Sequence, residues 1–321
     1  MDDARGGGRP MSIDGELRLL VNPTGLDAAT GARFLSRGFG TPWTETLYRW
    51  HLERPFDGEA PDRLLLMDGE RAVGICGLSY RMLRTPDGVA HRVSIAGAGS
   101  TLPAERGRGH FARMMDAAIV RSALRGCTAL LGFVTADNAS CRALQRLGAT
   151  EIASAYISSR RLARAPGTAT LRVSPAIVTD RWLERAAARE RGGPAAVFHY
   201  PDASAWRAQM VDRPHPVRAL RIGATCRALI ECVGDVDRLE WLDGDARERL
   251  AAIRAIAARA NRLGRRFFMY STRVGDADSA RRLGLLTRAG CLMAAATEAR
   301  HAATVRGWAA LAFDVQSGDR M

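Results

Sequence analysis

The chain has 321 residues, enough for two domains of ordinary size, each able to bury its own core. Its hydrophobic content is 47%, and no run approaches the ~20 consecutive apolar residues of a membrane-spanning helix. The net charge is +13, yet all 47 basic residues are arginine and carboxylates are scattered among them, as in Arg181-Trp182-Leu183-Glu184-Arg185. That pattern reads as solvated surface and disfavours nucleic acid as a partner. Cys76, Cys127, Cys141, Cys226, Cys232 and Cys291 form no Cys-x-x-Cys pair, and the histidines show no His-x-x-x-His spacing. Neither a disulfide framework nor a metal is expected. The start, Met1-Asp2-Asp3-Ala4-Arg5 and three glycines, lacks the basic lead and apolar core of a signal peptide, so residues 1–14 are expected to be flexible and the location cytoplasmic.

In chain order, 16–22 reads as a strand closed by Pro23, and 27–38 as a helix carrying Phe34 and Leu35. A second helix is expected from Thr41-Pro42, with proline in its first turn, bringing Trp43, Leu47, Trp50 and Leu52 to one side and stopping at Arg54-Pro55. Strands follow at 63–67, 72–83 and 89–101, punctuated by Asp68-Gly69 and Thr85-Pro86-Asp87-Gly88. Arg106-Gly107-Arg108-Gly109-His110 opens a helix to about Leu124, a buried strand spans 128–134, and Asn138 starts a helix ending at Gly148. A strand over 152–162 completes the first half.

The stretch 164–171, with Pro166-Gly167, reads as a linker. Beyond it, Val211-Asp212-Arg213-Pro214 repeats Leu52-Glu53-Arg54-Pro55, each after a tryptophan-bearing helix. Arg288-Ala289-Gly290-Cys291 reads as an echo of Leu147-Gly148-Ala149. A strand at 239–242, a long amphipathic helix at 246–263 and a closing strand at 308–315 complete a second copy of the first half.

From Ser94 to Ala149, a strand feeds a glycine-rich turn whose N–H groups sit at a helix N-terminus, an anion site suited to a pyrophosphate. At these residues the chain resembles the GCN5-related N-acetyltransferase (GNAT) superfamily. The family's pyrophosphate loop, Arg/Gln-x-x-Gly-x-Gly/Ala, is met by Arg106-Gly107-Arg108-Gly109-His110-Phe111 except at its last position, where Phe111 replaces a small residue. Asn138 with Leu147-Gly148-Ala149 supplies the second signature. The resemblance implies an α/β fold with a mixed sheet, as two GNAT-like lobes in tandem over 15–163 and 172–321. The second lobe is degenerate, with Asp243-Gly244-Asp245 in place of the phosphate loop, so one acyl-CoA per chain is expected.

By the same resemblance, coenzyme A would be held by Ser100, Thr101, Leu102, the loop from Arg106 through Phe111, Asn138 and Cys141. Thr101 would offer its backbone N–H to the thioester oxygen as an oxyanion contact. Many family members place a tyrosine seven residues after the motif asparagine to protonate the leaving sulfur; here that residue is Gln145. His199, in Phe198-His199-Tyr200, is the candidate base, ahead of His91, Asp314 and Asp319, and a base is dispensable for an acceptor amine of low pKa. The expected partners are acyl-CoA and a small-molecule amine, with no membrane partner. The expected activity is N-acylation of a secondary-metabolite amine, such as the aminosugar of a glycopeptide antibiotic. The alternatives are a short-chain acetyltransferase of antibiotic resistance or thiol metabolism, and a non-catalytic CoA-binding regulator.

Overall fold

The computed structural model describes residues 11–12, 17–159, 171–189, 193–244, 246–273 and 275–320. The expectations for 1–10, 13–16 and 160–170, including the end of the strand expected over 152–162, lie outside the described residues; Met11–Ser12 form a short strand, β1. The first half continues with β2 (Leu17–Val21), α1 (Ala28–Phe39), α2 (Glu45–Leu52), β3 (Asp62–Asp68), β4 (Arg71–Arg84) and β5 (Ala90–Thr101). It then runs through α3 (His110–Leu124), β6 (Ala129–Thr135), α4 (Ala139–Arg146) and β7 (Thr150–Ser158). The second half has β8 (Val173–Pro175), α5 (Asp180–Arg189), β9 (Val197–His199), α6 (Ala203–Met210), β10 (Val217–Ile222) and β11 (Cys226–Val233). It ends with β12 (Val236–Leu242), α7 (Ala246–Arg262), β13 (Arg266–Ser271), α8 (Asp276–Arg282), β14 (Leu286–Ala296) and α9 (Ala302–Gly307).

Local sequence explains the helix ends. The Asp27 carboxylate accepts the Thr30 N–H at 2.6 Å to cap α1, which stops at Gly40 in the left-handed region. The Thr44 hydroxyl accepts the Leu47 N–H at 3.1 Å, so α2 starts after Thr44 and not at Thr41-Pro42 as the proline suggests. The buried carboxylate of Asp62 accepts from Tyr80 at 2.6 Å, Asn22 at 2.7 Å, Arg121 at 2.6 Å and Arg125 at 3.0 Å, pinning β3 and β4 to α3. Burial alone would raise its pKa, and these donors together reverse that and hold it low.

All strands join one sheet in the order β1-β2-β3-β4-β5-β6-β14-β7-β13-β12-β11-β10-β8, with β9 on β4. The halves exchange strands at its centre. β14 lies antiparallel between β6 (Gly290↔Thr135 to Ala296↔Ala129) and β7 (Leu286↔Ser158 to Ala294↔Thr150), and β7 borders β13. Thus the last strand of each repeat is shared by both lobes. The repeat itself is β5-α3-β6-α4-β7 followed by β12-α7-β13-α8-β14. In each copy the first two strands run parallel for four residue pairs, Val93↔Ala129 to Ala96↔Gly132 and Val236↔Arg266 to Leu239↔Met269, and then part.

Two expectations are corrected here. The counterpart of Leu147-Gly148-Ala149 is Leu283-Gly284-Leu285: Gly148 and Gly284 have φ of 75° and 76°, and Ala149 and Leu285 donate to Leu144 and Ala280 at 3.1 and 2.9 Å. Arg288 to Cys291 lies on β14 instead. Residues 308–315 form no closing strand, because β14 already fills that slot; a 3-10 turn at Trp308–Ala310 leads into an extended tail.

That tail plugs the second lobe. Val315 O accepts the Thr272 N–H at 3.2 Å, the Gln316 side chain accepts the Leu242 N–H at 2.9 Å, and Ser317 Oγ accepts the Tyr270 N–H at 2.7 Å. The gap between β12 and β13 is therefore filled by protein, whereas the gap between β5 and β6 is open. Where the halves meet, Arg54 and Arg213 from the two repeated segments each stack on Trp50, 4.6 Å from its ring centre, and Trp50 Nε1 donates to Asp212 O at 3.2 Å.

Candidate active site

The opening of the first lobe begins at a bulge. Ile75 pairs with Ser100 and Gly77 with Gly97, so Cys76 on β4 faces both Ala98 and Gly99 on β5. The extra residue bends β5 away from β6. Ala98 adopts φ 51°, a left-handed conformation that costs a non-glycine residue on the order of 1–2 kcal/mol. Beyond the bulge, Leu102 donates its N–H to Val73 O at 3.1 Å while Thr101 pairs with Gly74. Bonded groups alternate along an antiparallel ladder, so the Thr101 N–H points away from β4, into the gap.

The chain then turns through Pro103–Glu105 to the glycine loop. Gly107 and Gly109, at φ 82° and 80°, take conformations open to glycine, and Gly109 opens α3 without any side-chain cap. The first N–H groups of α3 are left for an anion. Opposite, Asn138 caps α4 by accepting the Ser140 N–H at 3.2 Å. Between loop and α4 lies a cleft of about 530 Å³, lined by Ser100, Thr101, Arg106, Gly107, Gly109, His110, Phe111 and Asn138 of the expected residues.

Three expected ligands lie elsewhere. Leu102 and Cys141 are buried in the core, 4% and 0% exposed, because each falls on the inner side of its element. Arg108 is ion-paired with Glu105 at 3.0 Å. Arg106 lines the cleft, and its guanidinium donates to Gly38 O at the end of α1. Gly38, Phe39, Ser140 and Arg146 line the cleft as well and were not singled out by sequence reasoning. The 139, 143, 146 spacing on α4 is the signal that places Arg146 on the cleft side.

A second cleft of about 310 Å³ adjoins the first, sharing Phe39, Gly99, Phe111, Asn138 and Ser140. It occupies the gap between Ile95–Gly99 of β5 and Gly132–Val134 of β6, and Trp43, His51 and Arg320 close it. Phe111 stands at the junction, where it fits because Gly99 has no side chain: a β-carbon there would sit 3.3 Å from its ring. Burial, then the charges of Arg213, Arg238, Arg54 and Arg320, push the His51 pKa down to about 3. Its imidazole is neutral at pH 7.

His199, the expected base, lies on β9 opposite Met82, at the far end of β4 from Thr101, and lines neither cleft. His91 pairs with Leu83 at that same end. Asp314 is ion-paired with Arg273, and Asp319 is buried under the Tyr200 hydroxyl at 2.8 Å. Gln145 is exposed and bonds Glu151 at 3.3 Å, so it does not take the place of a leaving-group acid.

The second lobe has a cleft of its own, about 950 Å³, beside Asp243 and Gly244. Its two arginines are each paired with a carboxylate, Arg249 with Asp276 at 3.3 Å and Arg273 with Asp314. Asp245 lies outside the described residues. Among the described residues, Asp68, Glu105 and His110 bring metal-ligand atoms within 4.8 Å of one another beside the glycine loop. Both Glu105 oxygens already meet guanidinium groups, Arg71 at 2.8 Å and Arg108 at 3.0 Å, and this cluster from three segments has no spacing signature.

No protein-family model matches the chain, and no curated protein matches it. Solved structures do. A tandem GNAT protein from the clavulanic acid biosynthesis pathway superposes with TM-score 0.60 at 13% identity, over 88% of this chain and 99% of that one. GCN5-related N-acetyltransferases from Sphaerobacter thermophilus and Anabaena variabilis both give TM-score 0.56, at 14% and 11% identity, over 86% of this chain and 94% and 72% of theirs. The fold is therefore that of the GCN5-related N-acetyltransferases. More particularly, this chain carries two GNAT-like lobes in tandem, the second degenerate.

Proposed function

We propose that the chain is an acyl-CoA-dependent N-acyltransferase with one donor site, in the first lobe. The observation that carries this reading is the continuity of the two clefts. The bulge at Ala98–Gly99 parts β5 from β6 directly beside an uncapped helix N-terminus, so a phosphate loop and a gap with an inward N–H share one channel. The pyrophosphate would lie on Gly107, Gly109 and the start of α3, with Arg106 and Arg146 as counter-charges. Pantetheine would run past Thr101 and Asn138 and bring the thioester to the shared wall at Gly99, Phe111 and Ser140.

There the amine nitrogen attacks the thioester carbon, the carbonyl oxygen takes up charge opposite the Thr101 N–H, and the C–S bond breaks on collapse. The nitrogen gives up its proton to solvent water, and the sulfur leaves as thiolate, since a thiol pKa of roughly 8.5 makes a dedicated acid dispensable near neutrality. Ser140 lines both clefts, and its hydroxyl would donate a hydrogen bond to the departing sulfur. The acceptor amine must arrive neutral, because His51, with a pKa of about 3, is a weak base. The small residues Ala96 to Gly99 leave room for an acyl group longer than acetyl beside Phe111.

Thiol release from acetyl-, butyryl- and octanoyl-CoA with a panel of primary amines, including aminosugars, tests the reading. Amine-dependent release is expected. Tight CoA binding without release for any amine would favour a regulatory CoA-binding protein.

A further inference from the structure

Resting on the acyltransferase reading, we infer that the second cleft is built for an acceptor that carries a carboxylate near its amine, and that Arg320 is the residue that binds it. Among the described residues, the titratable groups lining this cleft are His51 and Arg320, and no carboxylate lines it. With His51 neutral, the cleft has a positive charge facing inward and no counter-charge for a second ammonium group.

Arg320 is held in place by the rings around it. Its guanidinium carbon lies 4.9 Å from the ring centres of both Tyr156 and Tyr270 and 5.8 Å from that of Phe133. The rings themselves are fixed edge to face, Phe133 on Tyr270 at 5.5 Å and Tyr156 on Tyr270 at 5.2 Å. They come from β6, β7 and β13, so the shared strand β7 and both lobes contribute to one aromatic seat. Gly290 on β14 makes room for it, since a β-carbon there would stand 2.7 Å from the Tyr156 ring. Ser317 to Asp319, wedged into the second lobe, deliver Arg320 to this position.

Among the described residues no carboxylate pairs with this guanidinium, and its buried Nε has no hydrogen-bond partner. Arg213 is held between Glu231 and Glu240 at 3.2 and 3.5 Å and Arg249 by Asp276 at 3.3 Å, whereas Arg320 lines a cleft with no such partner among the described residues, which leaves its guanidinium for a ligand. A planar guanidinium stacked on aromatic rings keeps its N–H edge for a carboxylate, which it can grip with two parallel bonds. Attraction of the rings for the cation holds it there when the cleft is empty. The acceptor class is then an amino acid or amino-acid-like metabolite, and polycationic aminoglycosides are poor acceptors.

The test uses the whole protein and needs no turnover. N-acetylated amino acids and their neutral amides are titrated calorimetrically, with CoA present, into wild type, Arg320→Ala and Arg320→Lys. Loss of a charged hydrogen bond predicts a preference for the acid of about ten- to a hundredfold. Arg320→Ala should abolish that preference, Arg320→Lys should restore part of it, and CoA affinity should be unchanged in both. Equal binding of acid and amide by wild type, or a preference that survives in Arg320→Ala, overturns the inference even if the enzyme transfers acyl groups. An anion could also arrive on the donor, so succinyl-CoA is compared with butyryl-CoA. An Arg320-dependent preference for succinyl-CoA would overturn the assignment to the acceptor. Failure of CoA itself to bind would instead be a failure of the donor-site reading.

Discussion

Gly38, in the last turn of α1, packs so closely on Ser100 of β5 that a β-carbon at Gly38 would collide with the Ser100 hydroxyl. The Gly38 carbonyl also accepts from Arg106, so this contact ties α1, the end of β5 and the glycine loop together. Gly38→Val would push α1 off the mouth of the donor cleft. Overpacking of this kind costs about 1–3 kcal/mol. A lowered melting temperature together with weaker CoA binding is expected; a variant with both unchanged would show that the contact does not shape the cleft.

Arg146 and Arg106 should weaken donor binding in different ways. Arg106 lies on the glycine loop, where the pyrophosphate would sit, whereas Arg146 lies six residues along α4 from Ser140, where the 3′-phosphate would reach. Arg106→Ala should weaken CoA and dephospho-CoA alike, by about tenfold for one charge-assisted bond. Arg146→Ala should weaken CoA only. Equal losses for both ligands in the Arg146 variant would move that residue to the pyrophosphate.

The pH dependence of turnover should follow the acceptor amine. His51, at about 3, does not titrate between pH 5 and 9, and His199 lies at the far end of β4. Turnover per enzyme should rise with pH up to the acceptor's own pKa, with no inflection near 6.5, and His199→Ala should leave the profile where it is. An inflection near 6.5 that disappears in His199→Ala would restore that residue to the mechanism.

Stability has a separate pH signature at the lobe junction. Glu240 is fully buried; burial first, and then Glu231, push its carboxyl up to about 7 against Arg213 and Arg238. The unfolded chain has this group near 4.5, so between 4.5 and 7 the folded state holds the proton that the unfolded state has lost. The contribution of Glu240 to stability therefore falls as pH rises through that window and stays low above it. Glu240→Gln, which cannot lose a proton, should match wild type near pH 4.5 and melt higher above pH 7, while Arg213 keeps Glu231 at 3.2 Å. Denaturant unfolding at pH 5 and pH 8 checks this; a variant less stable at both would show that the Glu240 charge is needed by its arginines.

Much of this architecture is written locally. The glycine loop, the Asn138 cap and the Leu-Gly stop of α4 are signatures of a few adjacent residues, and the structure puts most of them around one cleft. Contacts made by the chain's topology are not legible that way. The sequence puts the closing strand of the second copy at 308–315, and nothing in β14 says that it takes that role and inserts between β6 and β7. The echo at Arg288 to Cys291 misled because Gly290 is present for the Tyr156 ring, whereas the true repeat at Leu283-Gly284 sits six residues earlier. His199 attracts notice through its aromatic neighbours, yet β9 takes it to the wrong end of β4. His51 and Arg320 reach the site through α2 packing and a tail wedge, which have no periodic or motif signal.

The most direct test is calorimetric titration of the protein with CoA and acetyl-CoA, for wild type and for Gly109→Val, which would force a branched side chain into a left-handed turn and onto the pyrophosphate seat. One donor molecule per chain, bound in the first lobe, is expected, with no measurable binding by a folded Gly109→Val. Two molecules per chain, or undiminished binding by that variant, would contradict the donor-site reading.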